Sequence, residues 1–293
     1  MYNRQLKLAA LIFLGLVVVL SLKLFLPKLL PEKSAYTDKL DGLTKTSVQK
    51  ISITKDNESV ELTKESNGWR LDGKRANKAK IEGMLDQLMP KTDPVLVAET
   101  SQKHKDYGVD KESATVVKLN DKTALLIGLT SSDSGIYVRF EGDDKVFAVK
   151  EASSYRPTAK KTDWYDKGVL STEKDKIQKV SGTVDGKQLS VTKKNDKWVD
   201  ANDKEVSQDK MNSLLSNLAT LTAQDLADDA NRRVYPTTPQ FSLTVDYDGQ
   251  TETLDFFPGT DNYWVERRVS REKFIVSIAD INNLLNATRD LQL

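Results

Sequence analysis

A single histidine, His104, and the absence of cysteine leave this chain few side chains that do covalent or metal chemistry. Zinc and most transition-metal sites need several imidazole or thiolate ligands, so they are excluded, as are thiol catalysis, disulfides and a lipid-modified cysteine. A Ser-His-Asp arrangement would have to use His104, which lies in the polar stretch SQKHKDY and reads as a solvated loop residue. The nearest thing to a calcium loop, Asp200 to Glu205 (DANDKE), lacks the central glycine and the distal bidentate glutamate of an EF-hand and reads as a turn. Neither a G-x-x-x-x-G-K-[ST] nor a G-x-G-x-x-G phosphate loop occurs, and there is no G-x-S-x-G nucleophile elbow. The paired carboxylates Asp143-Asp144 and Asp228-Asp229 sit in turn-like or helix-end contexts and read as solvated. No catalytic residue, cofactor or metal is therefore expected.

Contact chemistry is better represented. Alternation in the stretch Tyr263 to Arg268 puts Tyr263, Val265 and Arg267 on one face of a strand and Trp264, Glu266 and Arg268 on the other. One of these faces is expected to be exposed, and Trp with Arg is a typical anchor pair at interfaces. Arg232, Arg233 and Tyr235 form a second candidate partner surface. Trp69 and Trp198, which recur at equivalent places, are expected to fill cores.

The elements that carry these residues are written twice, about 128 residues apart, as from Tyr107 to Tyr235. Ile81, Met84, Leu85 and Leu88 fall at i, i+3, i+4 and i+7, one stripe of an amphipathic helix, and Met211, Leu214, Leu215 and Leu218 repeat it. Asn77 and Ser207 stand four residues before each stripe as N-caps, preceded by Ala76 and Val206 as hydrophobic staples. Trp69 matches Trp198, LLIGL around Gly128 matches DFFPG around Gly259, Tyr137 to Arg139 matches the region of Tyr263 to Arg267, and KVFAV matches KFIVS. Before the first helix, alternating apolar runs broken by Asp-Asn and Asn-Gly predict strands, more strands follow it, and the second copy repeats the pattern with QLSVTK and KWVD. Few strands are followed by helices, which argues against a doubly wound parallel sheet. The expected fold is α+β: an N-terminal transmembrane helix, then two tandem repeats, each a mostly antiparallel sheet with one main amphipathic helix.

Leu8 to Leu22 is free of charge and Leu24 to Leu26 extend it past Lys23, close to the length that spans a bilayer. Pro27 and Pro31 end it, and no A-x-A-like cleavage site follows, so an uncleaved signal anchor is expected rather than a cleaved signal peptide. The expected organisation is an anchor over 1–31, a linker over 32–46, a first repeat over 47–170 and a second over 171–293. Flanking cations do not decide orientation; from the short tail before the span, the C-terminal part is expected outside the cytoplasmic membrane, on the periplasmic side. With 44 Lys and Arg against 43 Asp and Glu, no global field is available to attract nucleic acid.

The order Val-x-x-Ile-x-Ile, Gly-Trp, the Ile81 to Leu88 helix, DYGVD, LLIG, GIYVR and KVFAV resembles the domain-of-unknown-function family 4340. Trp164-Tyr165-Asp166-Lys167 resembles the Arg-Asp-Lys-like close of that domain, with Tyr165 where an arginine is usual, and Arg289-Asp290 sits at the matching end of the second copy. The resemblance implies no catalytic residues. It implies a membrane-anchored, exported protein that works as an accessory or scaffold subunit beside gliding-motility-type ABC transporters, with the permease and auxiliary membrane subunits as partners. An exported module that binds glycan, peptide or lipid without a transporter is the competing expectation.

Overall fold

The computed structural model describes residues 35–40, 42–92, 94–131, 135–150, 156–228, 232 and 234–292. The expected membrane anchor lies outside the described residues. Among the described residues no helix is long and apolar enough to cross a membrane.

In chain order the strands are β1 (Lys50–Lys55), β2 (Glu58–Glu65), β3 (Gly68–Leu71), β4 (Lys74–Arg75), β5 (Val95–Ala98), β6 (Thr115–Leu119), β7 (Thr123–Thr130), β8 (Ile136–Phe140) and β9 (Val146–Val149). They continue as β10 (Ile177–Val184), β11 (Lys187–Lys194), β12 (Lys197–Asp200), β13 (Asp225–Leu226), β14 (Phe241–Tyr247), β15 (Gln250–Pro258), β16 (Asn262–Arg267) and β17 (Lys273–Ser277). The helices are α1 (Ala35–Lys39), α2 (Lys78–Leu88), α3 (His104–Tyr107), α4 (Gln208–Thr220) and α5 (Ile278–Leu291). The fold is α+β with antiparallel sheets, as the alternating runs predict. Two compact units are formed, one from residues up to Ser59 with Glu82–Ala159, the other from Val60–Ile81 with Lys160–Leu293.

In the first unit the strands run β1-β6-β7-β8-β9-β5, antiparallel throughout. Apolar positions of β1, β6, β7 and β8, among them Ile53, Val117, Leu125 and Val138, are fully buried. Tyr36 of α1 is buried with them; its hydroxyl donates to the Leu88 carbonyl at 2.9 Å and its ring meets Phe140 and Phe147 edge-on. Burial raises the Tyr36 phenol far above its ordinary value, so it remains a donor.

The second unit repeats that order: β10-β14-β15-β16-β17-β13, with β11 and β12 beyond β10. Lys64 opposite Trp69 in the β2–β3 pair is matched by Lys193 opposite Trp198 in β11–β12. Both tryptophans are buried, as expected from their recurrence. The helical stripes are likewise buried at Ile81, Met84, Leu85 and Leu88 and at Met211, Leu214, Leu215 and Leu218. Asn77 Oδ1 accepts from Lys80 N at 3.0 Å and Ser207 Oγ from Lys210 N at 3.5 Å, so both caps stand where the sequence puts them.

One expectation is corrected. The second unit has two long amphipathic helices rather than one main helix, because Ile281, Leu284, Leu285 and Thr288 repeat the same i, i+3, i+4, i+7 stripe on α5, with Ser277 Oγ capping Asp280 N at 3.1 Å. α4 and α5 share a core with Leu243, Val245, Phe256, Val265 and Val276 of the sheet. Each large aliphatic side chain buried this way contributes about 1.5–3 kcal/mol before entropy is counted.

Candidate functional site

The β3–β4 hairpin, part of the second unit, carries Arg75. Its turn, Asp72-Gly73, takes left-handed backbone at both residues (φ 50° and 75°), which lets Leu71 pair with Lys74 and Arg70 with Arg75. The Arg75 guanidinium is then held on three sides. Nε donates to both Glu272 oxygens at 2.8 and 2.9 Å, Nη1 to Asp166 Oδ2 at 3.1 Å and Nη2 to the Gly168 carbonyl at 2.9 Å.

Glu272 lies just before β17, after a tight turn in which Arg271 has φ 60°. It also accepts from Arg267 Nη1 at 2.9 Å, and Arg267 Nε donates to Glu252 Oε2 at 3.1 Å. Arg267 Nη2 donates to the Tyr247 hydroxyl at 2.9 Å. Burial first, opposed by the nearby Arg267 charge, raises the Tyr247 phenol, so this oxygen stays a neutral hydroxyl. Glu252 is saturated by the backbone N–H groups of Thr253, Val269 and Ser270 in addition to Arg267. Asp166 accepts from Gly168 N and Ser171 Oγ as well as from Arg75. Buried charge is tolerated here because each carboxylate meets several donors.

Above this network opens a cleft of about 820 Å³, lined among others by Arg70, Lys74, Arg75, Arg267 and Arg271. Three turns reach its walls: Asp72-Gly73, Asp248-Gly249 and Ser270-Arg271. Among the described residues no group of three or more His, Asp or Glu could hold a metal ion. Asp200 Oδ1 accepts from Asn202 N at 2.8 Å and Lys204 N at 3.0 Å, so the DANDKE segment is the turn its composition suggests. His104 opens the short helix α3 rather than lying in an irregular loop, with Nε2 at 3.0 Å from the Asp144 carbonyl.

The Tyr263 to Arg268 strand does not present an exposed aromatic face, which corrects the expectation from alternation. Tyr263 lies in the core with α4 and α5, and its hydroxyl donates to Gln240 Oε1 at 2.7 Å. Trp264, on the opposite face, is fully buried with Ala227 and Phe257, and Tyr235 packs on them. Helices cover one face of the strand, while Ala227, Arg232 and Tyr235 cover the aromatics on the other. Arg232 stacks its guanidinium 4.2 Å from the Phe257 ring and 5.5 Å from Trp264, and donates to the carbonyls of Tyr235 and Pro236. Arg267 is buried in the charge network. Arg268 remains exposed and pairs with Asp255 at 2.6 Å. Arg233 lies outside the described residues. Thus Arg232, Tyr235 and Trp264 come together as a packed cluster, Arg267 joins the cleft, and Arg268 stands at the surface.

The residues missed from the sequence are Arg75, Asp166, Tyr247, Glu252 and Glu272. Asp166 had a signal, the Trp164-Tyr165-Asp166-Lys167 segment. Arg75, Glu252 and Glu272 had none, because charged residues in strands and turns are common and their partners lie far away in sequence, and Tyr247 is one apolar-face position of an alternating strand.

Antiparallel sheets packed with amphipathic helices, and a cleft floored by paired charges, define an α+β protein. The chain belongs to the family described as Domain of unknown function (DUF4340), which matches residues 69–240. No curated protein and no solved structure matches the chain.

Proposed function

We propose that the chain is a non-catalytic, membrane-anchored accessory or scaffold subunit, held by the apolar segment Leu8 to Leu26 with its two units on the periplasmic side, and associated with an ABC transporter of the gliding-motility type. The observation that carries the non-catalytic part is the state of the cleft floor. Asp166, Glu252 and Glu272 are each occupied by arginine and by backbone or hydroxyl donors, which leaves no carboxylate there poised as a general base. The shared strand order and matched caps support reading the two sheets as tandem copies of one folding unit, a design suited to presenting surfaces.

The test is purification of the tagged full chain at native abundance in mild detergent. Repeated recovery of a permease and ATPase is the expected result. Recovery of the chain alone, also after crosslinking, would sink the proposal. An exported binding module acting without a transporter is the second reading, favoured by the cleft, whose volume is that of a small-molecule site.

A further inference from the structure

We propose that the cleft of the second unit binds a small molecule bearing an oxyanion, a phosphate or a carboxylate, through the unused N–H groups of Arg75 and Arg267. A guanidinium carries five N–H donors. Arg75 spends one at Nε, one at Nη1 and one at Nη2, and Arg267 does the same. Among the described residues each therefore keeps two donors, while the three carboxylates around the pair, one more than neutralises it, are already occupied by other donors and are offset by the cations of the walls. The cleft floor thus has donors to give and little acceptor capacity left. Fixed guanidiniums of this kind suit phosphate and carboxylate, because their side-chain freedom was lost on folding and not on binding.

The walls carry the same preference. Beside the floor, the cleft is lined by Arg70, Lys74, Arg271 and Lys273 against Asp228 and Asp248. Asp248 accepts from Thr172 Oγ1 at 3.1 Å. The carboxylate partners of Arg70 and Arg271 stand off at 3.7 and 3.8 Å, long for ion pairs and easily exchanged for a ligand. The volume of about 820 Å³ accommodates a molecule larger than a bare ion. This inference does not depend on the transporter partner.

The experiment is calorimetric titration of the full chain in neutral detergent with inorganic pyrophosphate, with citrate and with dihexanoyl phosphatidic acid, choline serving as the cationic control. Saturable binding of at least one anion is expected. It should weaken at least about tenfold in a Lys74→Glu, Arg271→Glu double variant, as the loss of two charge-assisted contacts predicts. Binding should be retained in a Lys174→Glu, Lys176→Glu double variant, whose charge change lies outside the cleft lining. Arg271→Asn, which tolerates left-handed backbone, provides a milder rim variant should the double variant unfold. Preference for phosphatidic acid over pyrophosphate and citrate assigns a lipid headgroup, and the reverse assigns a soluble anion. No saturable binding at millimolar anion, equal binding of choline, or equal weakening in both double variants would overturn the proposal. Co-purification with a transporter is a separate readout, so the two proposals fail independently.

Discussion

Arg75 Nε meets both carboxylate oxygens of Glu272, at 2.8 and 2.9 Å, across 197 positions of sequence. Glu272 is shared with Arg267, and Arg267 with Glu252, so the charges alternate from a surface hairpin down into the sheet. A hairpin turn is thereby fixed to the start of β17. The same bonds hold both arginines in the lining of the cleft.

Removing Glu272 leaves two guanidiniums without their common partner. Glu272→Ala is expected to cost about 3 kcal/mol, the lower end for a broken buried pair, because both Arg75 and Glu272 keep some solvent contact. A double-mutant cycle with Arg75→Ala should return a coupling of about 1–3 kcal/mol in urea unfolding. Additive losses would mean that the pair is a neighbourhood and not an interaction.

Trp264 is fully buried, yet its indole N–H has no hydrogen-bond partner among the described residues. Trp264→Ala should cost about 3–5 kcal/mol, as for other large core truncations. Trp264→Phe should cost less than half as much, because it also removes an unpaired buried donor whose penalty is about 1–3 kcal/mol. Equal losses by thermal melting would show that the N–H is satisfied in solution. Either variant reports on the core, so neither is a probe of partner binding.

The contrast between the stripes and the charge network shows what the sequence made legible. Ile81 to Leu88 and Met211 to Leu218 were readable because a helix writes its burial within two turns, and its cap stands next to it. The stripe of α5 is equally regular, but Ile281, Leu284 and Leu285 have no counterpart among the first-copy landmarks. For Tyr263 to Arg268, alternation separates two faces correctly but does not tell what covers each; Ala227, Arg232 and Tyr235 come from elsewhere in the chain. Arg75 and Glu272 were beyond reach for the same reason, since a pairing over 197 positions follows no period.

Gly128 lies where a side chain has no room. A Cβ there would come within 2.2 Å of the Tyr107 carbonyl and 2.7 Å of Val109 Cγ1, whereas at Gly259 the nearest atom is the Tyr235 ring at 2.7 Å and the nearest backbone carbonyl, of Asn262, stands at 2.9 Å. Backbone yields less than a ring and its carbonyl is much closer at Gly128, so Gly128→Ala is expected to cost about 2–3 kcal/mol and Gly259→Ala about 1–2 kcal/mol, both by overpacking. Denaturant titrations of the two variants check the order, and the reverse order would place the tighter contact in the second unit.

Arg289 of α5 donates Nε to Asp185 Oδ2 at 2.6 Å, tying the last helix to the turn between β10 and β11. That hydrogen bond is the main reason the Asp185 carboxyl titrates below its ordinary value. A carboxylate depressed on folding adds stability that is present above its unfolded pKa, near 4, and is lost as pH falls through the lower folded value. Asp185→Asn removes the charge while suiting the left-handed backbone at that residue, where φ is 52°. Wild type should therefore exceed Asp185→Asn in urea midpoint at pH 6–7, and the gap should close as pH drops below about 4. The gap should also shrink in high salt, because the pair is exposed. A gap that stays constant from pH 7 to 3 would assign the contribution of Asp185 to its neutral hydrogen bonds and not to its charge.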